Sequence, residues 1–115
     1  MKPIRAEKCY ISDKLPPLHI LLTEEDGVIV IRCIDFSISS HGDTIKEARE
    51  SMNSILMDYL KHAIQNNSLD NLFDPDLKEY WDMYHQLEIE AEKYIFQAKV
   101  DKIKGEILSK RLTYA

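Results

Sequence analysis

The sequence predicts an α+β protein: a small antiparallel sheet of three to four strands packed on one helix, followed by a long C-terminal helix. Three observations carry this. The aliphatic and β-branched runs Leu18–Thr23 and Val28–Asp35 flank Asp26-Gly27, a pair that tolerates the positive φ angles of a two-residue hairpin. The stretch His41-Gly42-Asp43-Thr44-Ile45-Lys46-Glu47-Ala48 places a capping box, Thr44 with Glu47, directly ahead of a 3.6-residue apolar stripe. From Pro75 to Arg111 apolar residues recur at 3–4 spacing, over a length that a small sheet cannot cover.

The elements follow in order. Ile4–Ser12 reads as a first short strand, ended by the prolines of Asp13-Lys14-Leu15-Pro16-Pro17, which have no ladder donors. Leu18–Thr23 and Val28–Asp35 form the hairpin. In the second run both faces are apolar except Arg32, so it is expected at the centre of the sheet, covered on both sides. Phe36–Ser40 alternates apolar and polar, as a half-exposed strand does. Gly42 is then expected to leave the strand at a φ that other residues dislike. Asp43 is expected to sit near the positive end of the helix dipole. The helix Thr44–Gln65 carries its stripe at Ile45, Ala48, Met52, Ile55, Leu56, Tyr59, Leu60 and Ala63, and stops at Gln65-Asn66-Asn67-Ser68, where asparagine tolerates a left-handed cap. A second helix is expected to begin at Asp74-Pro75, with the aspartate as N-cap and the proline at the first helical position. It must bend near Ala98 or Gly105, or be covered by another chain; a second subunit or a partner helix is the favoured reading.

The 115 residues are one domain by length, with room for an appendage, and divide here at 1–66 and 67–115. Hydrophobic content of 44% and charged content of 30% exclude disorder throughout. No apolar run reaches the roughly 20 residues of a membrane span, and the N-terminus lacks the apolar core of a signal peptide, so a cytoplasmic location and no membrane contact are expected. Cys9 and Cys33 are separate, free-thiol cysteines, with Cys33 in the core. His19, His41, His62 and His85 have no ligand spacing, and neither a metal nor a cofactor is expected.

The net charge of −5 argues against a protein that coats nucleic acid by bulk attraction. The charge is uneven: residues 76–92 sum to −5 and residues 93–115 to +4. The basic end, Lys99, Lys102, Lys104, Lys110 and Arg111, reads first as a solvated face that complements the helix C-terminus, and second as a nucleic-acid contact. Tyr80, Trp81, Tyr84, Leu87 and Tyr94 are the candidate interface, because Trp and Tyr dominate interface energetics; Trp81→Ala is expected to weaken association more than the sheet.

The turn is structural as a phosphate site, since it has one glycine and no GK[ST]. Asp26, Asp35 and Asp43 do not make a nuclease acid set: the first belongs to a turn, the third to a helix start, and Asp35 has no partner legible in the sequence. No nucleophile-elbow sequence is present. The chain therefore reads as a non-enzyme.

The order strand, hairpin, strand, strand and helix, with Gly42, Asp43, Thr44, Glu47 and Ala48 as G-D-T-x-x-E-A and Asp26-Gly27 at the hairpin, resembles the HicB-like antitoxin family. That resemblance spans about residues 18–65 and implies a partial RNase H-like β-β-β-α fold. It also implies a non-catalytic protein of toxin–antitoxin type, which neutralises a small basic RNA-cleaving toxin by covering its active site. The family often adds a fourth strand after the helix; here the Ile4–Ser12 strand is expected to fill that edge. Many members end in a DNA-binding module, and the long C-terminal helix stands in its place. Two rival readings remain: a dimeric nucleic-acid-binding transcriptional regulator using the basic end, and a homodimeric or larger homo-oligomeric protein of another role.

Overall fold

In the computed structural model, which describes residues 1–114, the chain runs Lys2–Cys9 (β1), Leu18–Glu25 (β2), Val28–Cys33 (β3), Ile38–Gly42 (β4), Ile45–Gln65 (α1), a single 3-10 turn at Leu69–Asn71, and Lys78–Leu108 (α2). The strands pair in sequence order, all antiparallel, into one four-stranded meander. The expected α+β layout with a long C-terminal helix is what the chain adopts, and β1 occupies the edge beside β2.

Alternation along β2 sends Leu18, Ile20 and Leu22 to one face and Leu21 and Thr23 to the other, and all five are buried. On the first face they meet Ile31, Cys33 and Phe36 and the stripe Ala48, Met52 and Leu56 of α1. On the second, Leu21 and Ile34 meet Tyr84, with Tyr80, Trp81, Met83 and Leu87 around it. The sheet is thus enclosed by α1 on one side and the first turns of α2 on the other. A division at residue 66 does not follow this packing, because Leu72 and the residues from Tyr80 to Leu87 belong to the cores on the sheet.

The local signals act as their chemistry requires, with four corrections. Asp26 (φ 52°) and Gly27 (φ 80°) make the two-residue turn between β2 and β3. Gly42 does not have a positive φ; it remains in β4, paired with Ile29. A Cβ there would lie 2.5 Å from the Ala48 backbone nitrogen and 2.9 Å from Glu47, so glycine is required by close approach to the helix, not by its own dihedral angle. The Thr44 hydroxyl accepts from the Glu47 N–H at 3.1 Å, while the Glu47 carboxylate accepts from the Asp43 N–H at 3.0 Å, one residue earlier than the usual reciprocal partner. Helix α1 ends in a left-handed Asn67 (φ 53°), with the Ser68 N–H donating to the Ala63 carbonyl at 2.9 Å, which is the Schellman closure.

The second correction concerns the third and fourth strands. β3 stops at Cys33 and β4 begins only at Ile38, because Ile34–Ser37 form a turn whose Ser37 has φ 57°. Asp35 is drawn inward by the backbone of His19, which breaks the ladder that periodicity alone would continue. The third is β1, which spans Lys2–Cys9 with an irregularity between Pro3 and Arg5, and so lies earlier than the apolar pattern suggests.

The fourth concerns α2. It starts at Lys78 behind Leu77, with no side-chain cap, and not at Asp74-Pro75. The segment Asp74-Pro75-Asp76 is extended, its amides donating to the carbonyls of Asp35 (3.0 Å) and Ile34 (2.8 Å), while Ser37 Oγ donates to the Asp74 carbonyl. Proline suits this pairing, since only the flanking N–H groups are used. Helix α2 is kinked at Ile103 (φ −119°, ψ 18°), close to the expected bend near Gly105, and runs without a break through Ala98. Its 31 residues span about 46 Å at 1.5 Å per residue. The helix leaves the sheet after Leu87, and the radius of gyration is 18.0 Å where about 13 Å is usual for this length.

Three substitutions separate these roles in a urea titration. Thr44→Ala should cost about 1 kcal/mol through the lost cap. Gly27→Ala should cost about 1 kcal/mol through its left-handed φ, since nothing lies within 4 Å of its added methyl. Gly42→Ala should cost about 3 kcal/mol, because its methyl collides with backbone that cannot retreat without moving α1. Equal costs at the two glycines would refute the close-approach role of Gly42.

Candidate functional site

Four groups of side chains on this scaffold have chemical or binding potential. The first is the turn Gly42, Asp43, Thr44 and Glu47, whose hydrogen bonds are spent on one another and on the start of α1. Its role in the fold is complete without a ligand.

The second was not legible in the sequence. Asp35, only 5% exposed, accepts from the His19 N–H at 2.6 Å through Oδ1, while its Oδ2 lies 2.9 Å from His19 Nδ1. Cys33 Sγ lies 4.0 Å from the same Oδ1. The His19 ring packs against Trp81 at 5.1 Å and Tyr84 at 5.2 Å between centroids. A buried carboxylate requires partners, so an acid closing an apolar strand was the available signal; the identity of the partner depends on β2 lying beside β3. The pair resembles the orienting half of a histidine–carboxylate base. The neighbouring thiol is held protonated: burial, with the Asp35 charge, pushes Cys33 up to about 12. It acts as a lock that holds the β3–β4 turn against β2. An apolar hollow of about 320 Å³ opens beside it, bounded by Ile11, Leu15, Pro16, Pro17, Leu72 and Phe73.

The third group lies between the β1 edge and α1. Glu7 bonds to Arg49 (Nε at 3.2 Å and also Nη2) and to Arg5 at 3.2 Å. Burial raises the Glu7 pKa, but the hydrogen bonds and charges of Arg49 and Arg5 outweigh it and hold the carboxyl below its usual value. Beside this cluster a shallow groove runs along Cys9, Tyr10, Ile11, Asn53 and Met57, with Tyr10, Ile11 and Met57 exposed. It is an apolar surface on the face of α1 that borders the edge strand.

The fourth group is α2. Of the candidate interface residues, Tyr80, Trp81, Tyr84 and Leu87 are brought together, but on the chain's own sheet. Tyr84 is 1% exposed and donates to the Glu7 carbonyl at 3.1 Å; burial and nearby acids push its pKa up to about 12. Tyr80 lies under the Arg32 guanidinium at 4.3 Å, and Arg32 in turn donates to Thr23 and Glu25. Trp81 Nε1 is buried with no acceptor among the described residues. Tyr94 is separate from them and exposed. The basic residues Lys99, Lys102, Lys104, Lys110 and Arg111 are all exposed and form no single stripe. Lys99 and Lys102 share a side, whereas Lys104 lies about 160° around from Lys102. Lys104 and Lys110 each stand 3.8 Å from an acid of their own helix.

The three aspartates considered as a nuclease set are divided between the two ends of β3: Asp26 and Asp43 near its start, Asp35 beyond its end. Among the described residues no three His, Cys, Asp or Glu side chains gather in an arrangement that would hold a metal ion. No helix among them is long and apolar enough to cross a membrane. No protein-family model, no curated protein and no solved structure matches this chain.

Because Trp81 packs on the sheet, Trp81→Ala should lower the stability of the whole domain by about 2–4 kcal/mol, read as a shifted urea midpoint. Thiol labelling at pH 8 should modify Cys9 in the folded chain and reach Cys33 only on unfolding. The Glu7 carboxyl, depressed in the folded state, contributes stability that is present above its unfolded pKa near 4.5 and is lost as pH falls through the lower folded value. The stability gap between the native chain and Arg49→Met should therefore shrink as pH drops below that range; a gap independent of pH would remove the ion pair from the account.

Proposed function

We propose that this chain is a non-catalytic binding protein of the HicB-like antitoxin type, which neutralises a small, basic, RNA-cleaving toxin by covering its active site. The observation that carries the reading is the junction of β4 and α1. Gly42, Asp43, Thr44, Glu47 and Ala48 stand where a four-stranded meander meets one long helix, and the glycine is demanded by backbone contact with Ala48. The clearance gives the glycine of that motif a definite structural role in this chain. Two further features agree with it. The formal charge of −5 favours encounter with a basic partner. The groove bordered by Tyr10, Ile11 and Met57 offers exposed apolar area next to the paired Glu7 and Arg49, the composition of a contact patch with a polar rim.

In this reading the domain works as a rigid plug. Its catalytic contribution is nil, and its affinity comes from apolar contact with the toxin, while charge governs the rate of encounter. A tagged full-length chain, captured at near-native expression and analysed by mass spectrometry, should bring down a stoichiometric small protein of high pI. That protein should cleave RNA when freed and stop when the chain is restored. The association rate should fall about tenfold or more as ionic strength is raised. An acidic partner, or RNA cleavage that continues in the complex, would refute the antitoxin assignment.

A further inference from the structure

Beyond Leu87 the helix α2 has left the sheet, yet its sequence remains apolar in a regular way. Ile89, Phe96, Ile103 and Ile107 are 56%, 69%, 45% and 42% exposed. With Lys93 and Val100 they occupy positions 89, 93, 96, 100, 103 and 107, a strict alternation of four and three. That is the seam of a heptad repeat, with Ile89, Phe96 and Ile103 in one row and Lys93, Val100 and Ile107 in the other. At 100° per residue this seam lies about 150° around the helix from the residues Tyr80, Trp81, Tyr84 and Leu87 that face the sheet. The helix therefore carries two apolar stripes, the first facing the sheet and the second continuing beyond it.

We propose that this second stripe pairs with the same stripe of a second copy of the chain, as an antiparallel two-stranded coiled coil centred between Tyr94 and Ile95. Charge selects the occupant and its direction. Residues 76–92 sum to −5 and residues 93–115 to +4, so reversing one helix lays each acidic half along a basic half. In that register Glu92 flanks Lys99 of the other copy, and His85 flanks Glu106, each twice by symmetry. Ile89 packs on Val100, and the Lys93 stem lies over the Phe96 ring, a cation–π contact. A parallel pair would set Lys93 against Lys93 within the seam and Lys99 beside Lys104. A single lysine in the seam is a known device for fixing register and partner number at some cost in stability. The pairing rests on the central layers, Ile89 with Val100 and Lys93 with Phe96, which all precede the kink at Ile103; Ile103 and Ile107 lie at and beyond it and fall opposite Gln86 and Asp82. The seam lies on the side of the helix turned away from the sheet-facing residues.

This proposal does not rest on the antitoxin reading, since it concerns the purified chain alone. Sedimentation equilibrium across a concentration series should show a monomer–dimer equilibrium. Phe96→Asp should weaken it at least about a hundredfold while the sheet melts as before, because Phe96 is exposed in the monomer. Glu92→Lys and Lys99→Glu should each weaken it about five- to tenfold, and the double exchange should restore it. Orientation is read in a Cys9→Ser background by mixing chains with Ile89→Cys and Val100→Cys. The disulfide between unlike chains should dominate. A monomer at every concentration, a dimer indifferent to Phe96→Asp, or a disulfide formed by Ile89→Cys with itself would each overturn the proposal.

Discussion

Every large feature of this molecule depends on both faces of β2 being buried. Leu18, Ile20, Leu21, Leu22 and Thr23 are all buried, so both surfaces of the strand must be covered. Helix α1, one turn after β4, supplies the first cover with Ala48, Met52 and Leu56. The second cover comes from later in the chain, from the first turns of α2. The linker therefore crosses past the β3–β4 turn, pinned by the amides of Asp74 and Asp76 on the carbonyls of Asp35 and Ile34. Tyr84 then reaches Leu21 and Ile34 from the far side.

The position of α2 also explains why one helix has two different characters. Five of its aromatic and aliphatic side chains, Tyr80, Trp81, Met83, Tyr84 and Leu87, are consumed by the sheet. The remaining turns project into solvent with apolar residues on a different side. Isolated helices derive little stability from propensity alone, so a projecting helix of this composition gains most from a partner. The acidic-to-basic change of sign along it would give such a pairing a direction.

The buried pair His19 and Asp35 occupies the point where these constraints meet. Asp35 holds the backbone of β2 through the His19 amide and turns the chain out of β3, while the imidazole packs between Trp81 and Tyr84 of α2. One carboxylate thus connects the central hairpin, the β3–β4 turn and the second helix. Removing a partner from a buried charge costs more than the net worth of the pair, which makes this group structurally sensitive.

Several elements were legible because their causes are local. The Asp26-Gly27 turn follows from two φ angles, the start of α1 from a hydroxyl and a carboxylate three residues apart, and its end from an asparagine able to adopt a left-handed conformation. What failed were inferences that needed to know a neighbour. Asp74-Pro75 has the chemistry of a helix start, but the backbone of Ile34 and Asp35 offered its flanking amides better partners. Gly42 looks like a dihedral requirement and is a clearance requirement, because only the folded chain brings Ala48 against it. Tyr80, Trp81, Tyr84 and Leu87 are apolar on one helical face whatever covers them; which surface does so is decided by the second, uncovered face of β2. The sequence by itself determined the elements and their amphipathic faces, since these depend on side chains within a few residues. The tertiary structure alone decided which faces meet, because that choice is set by burial across the sheet between residues far apart in the chain.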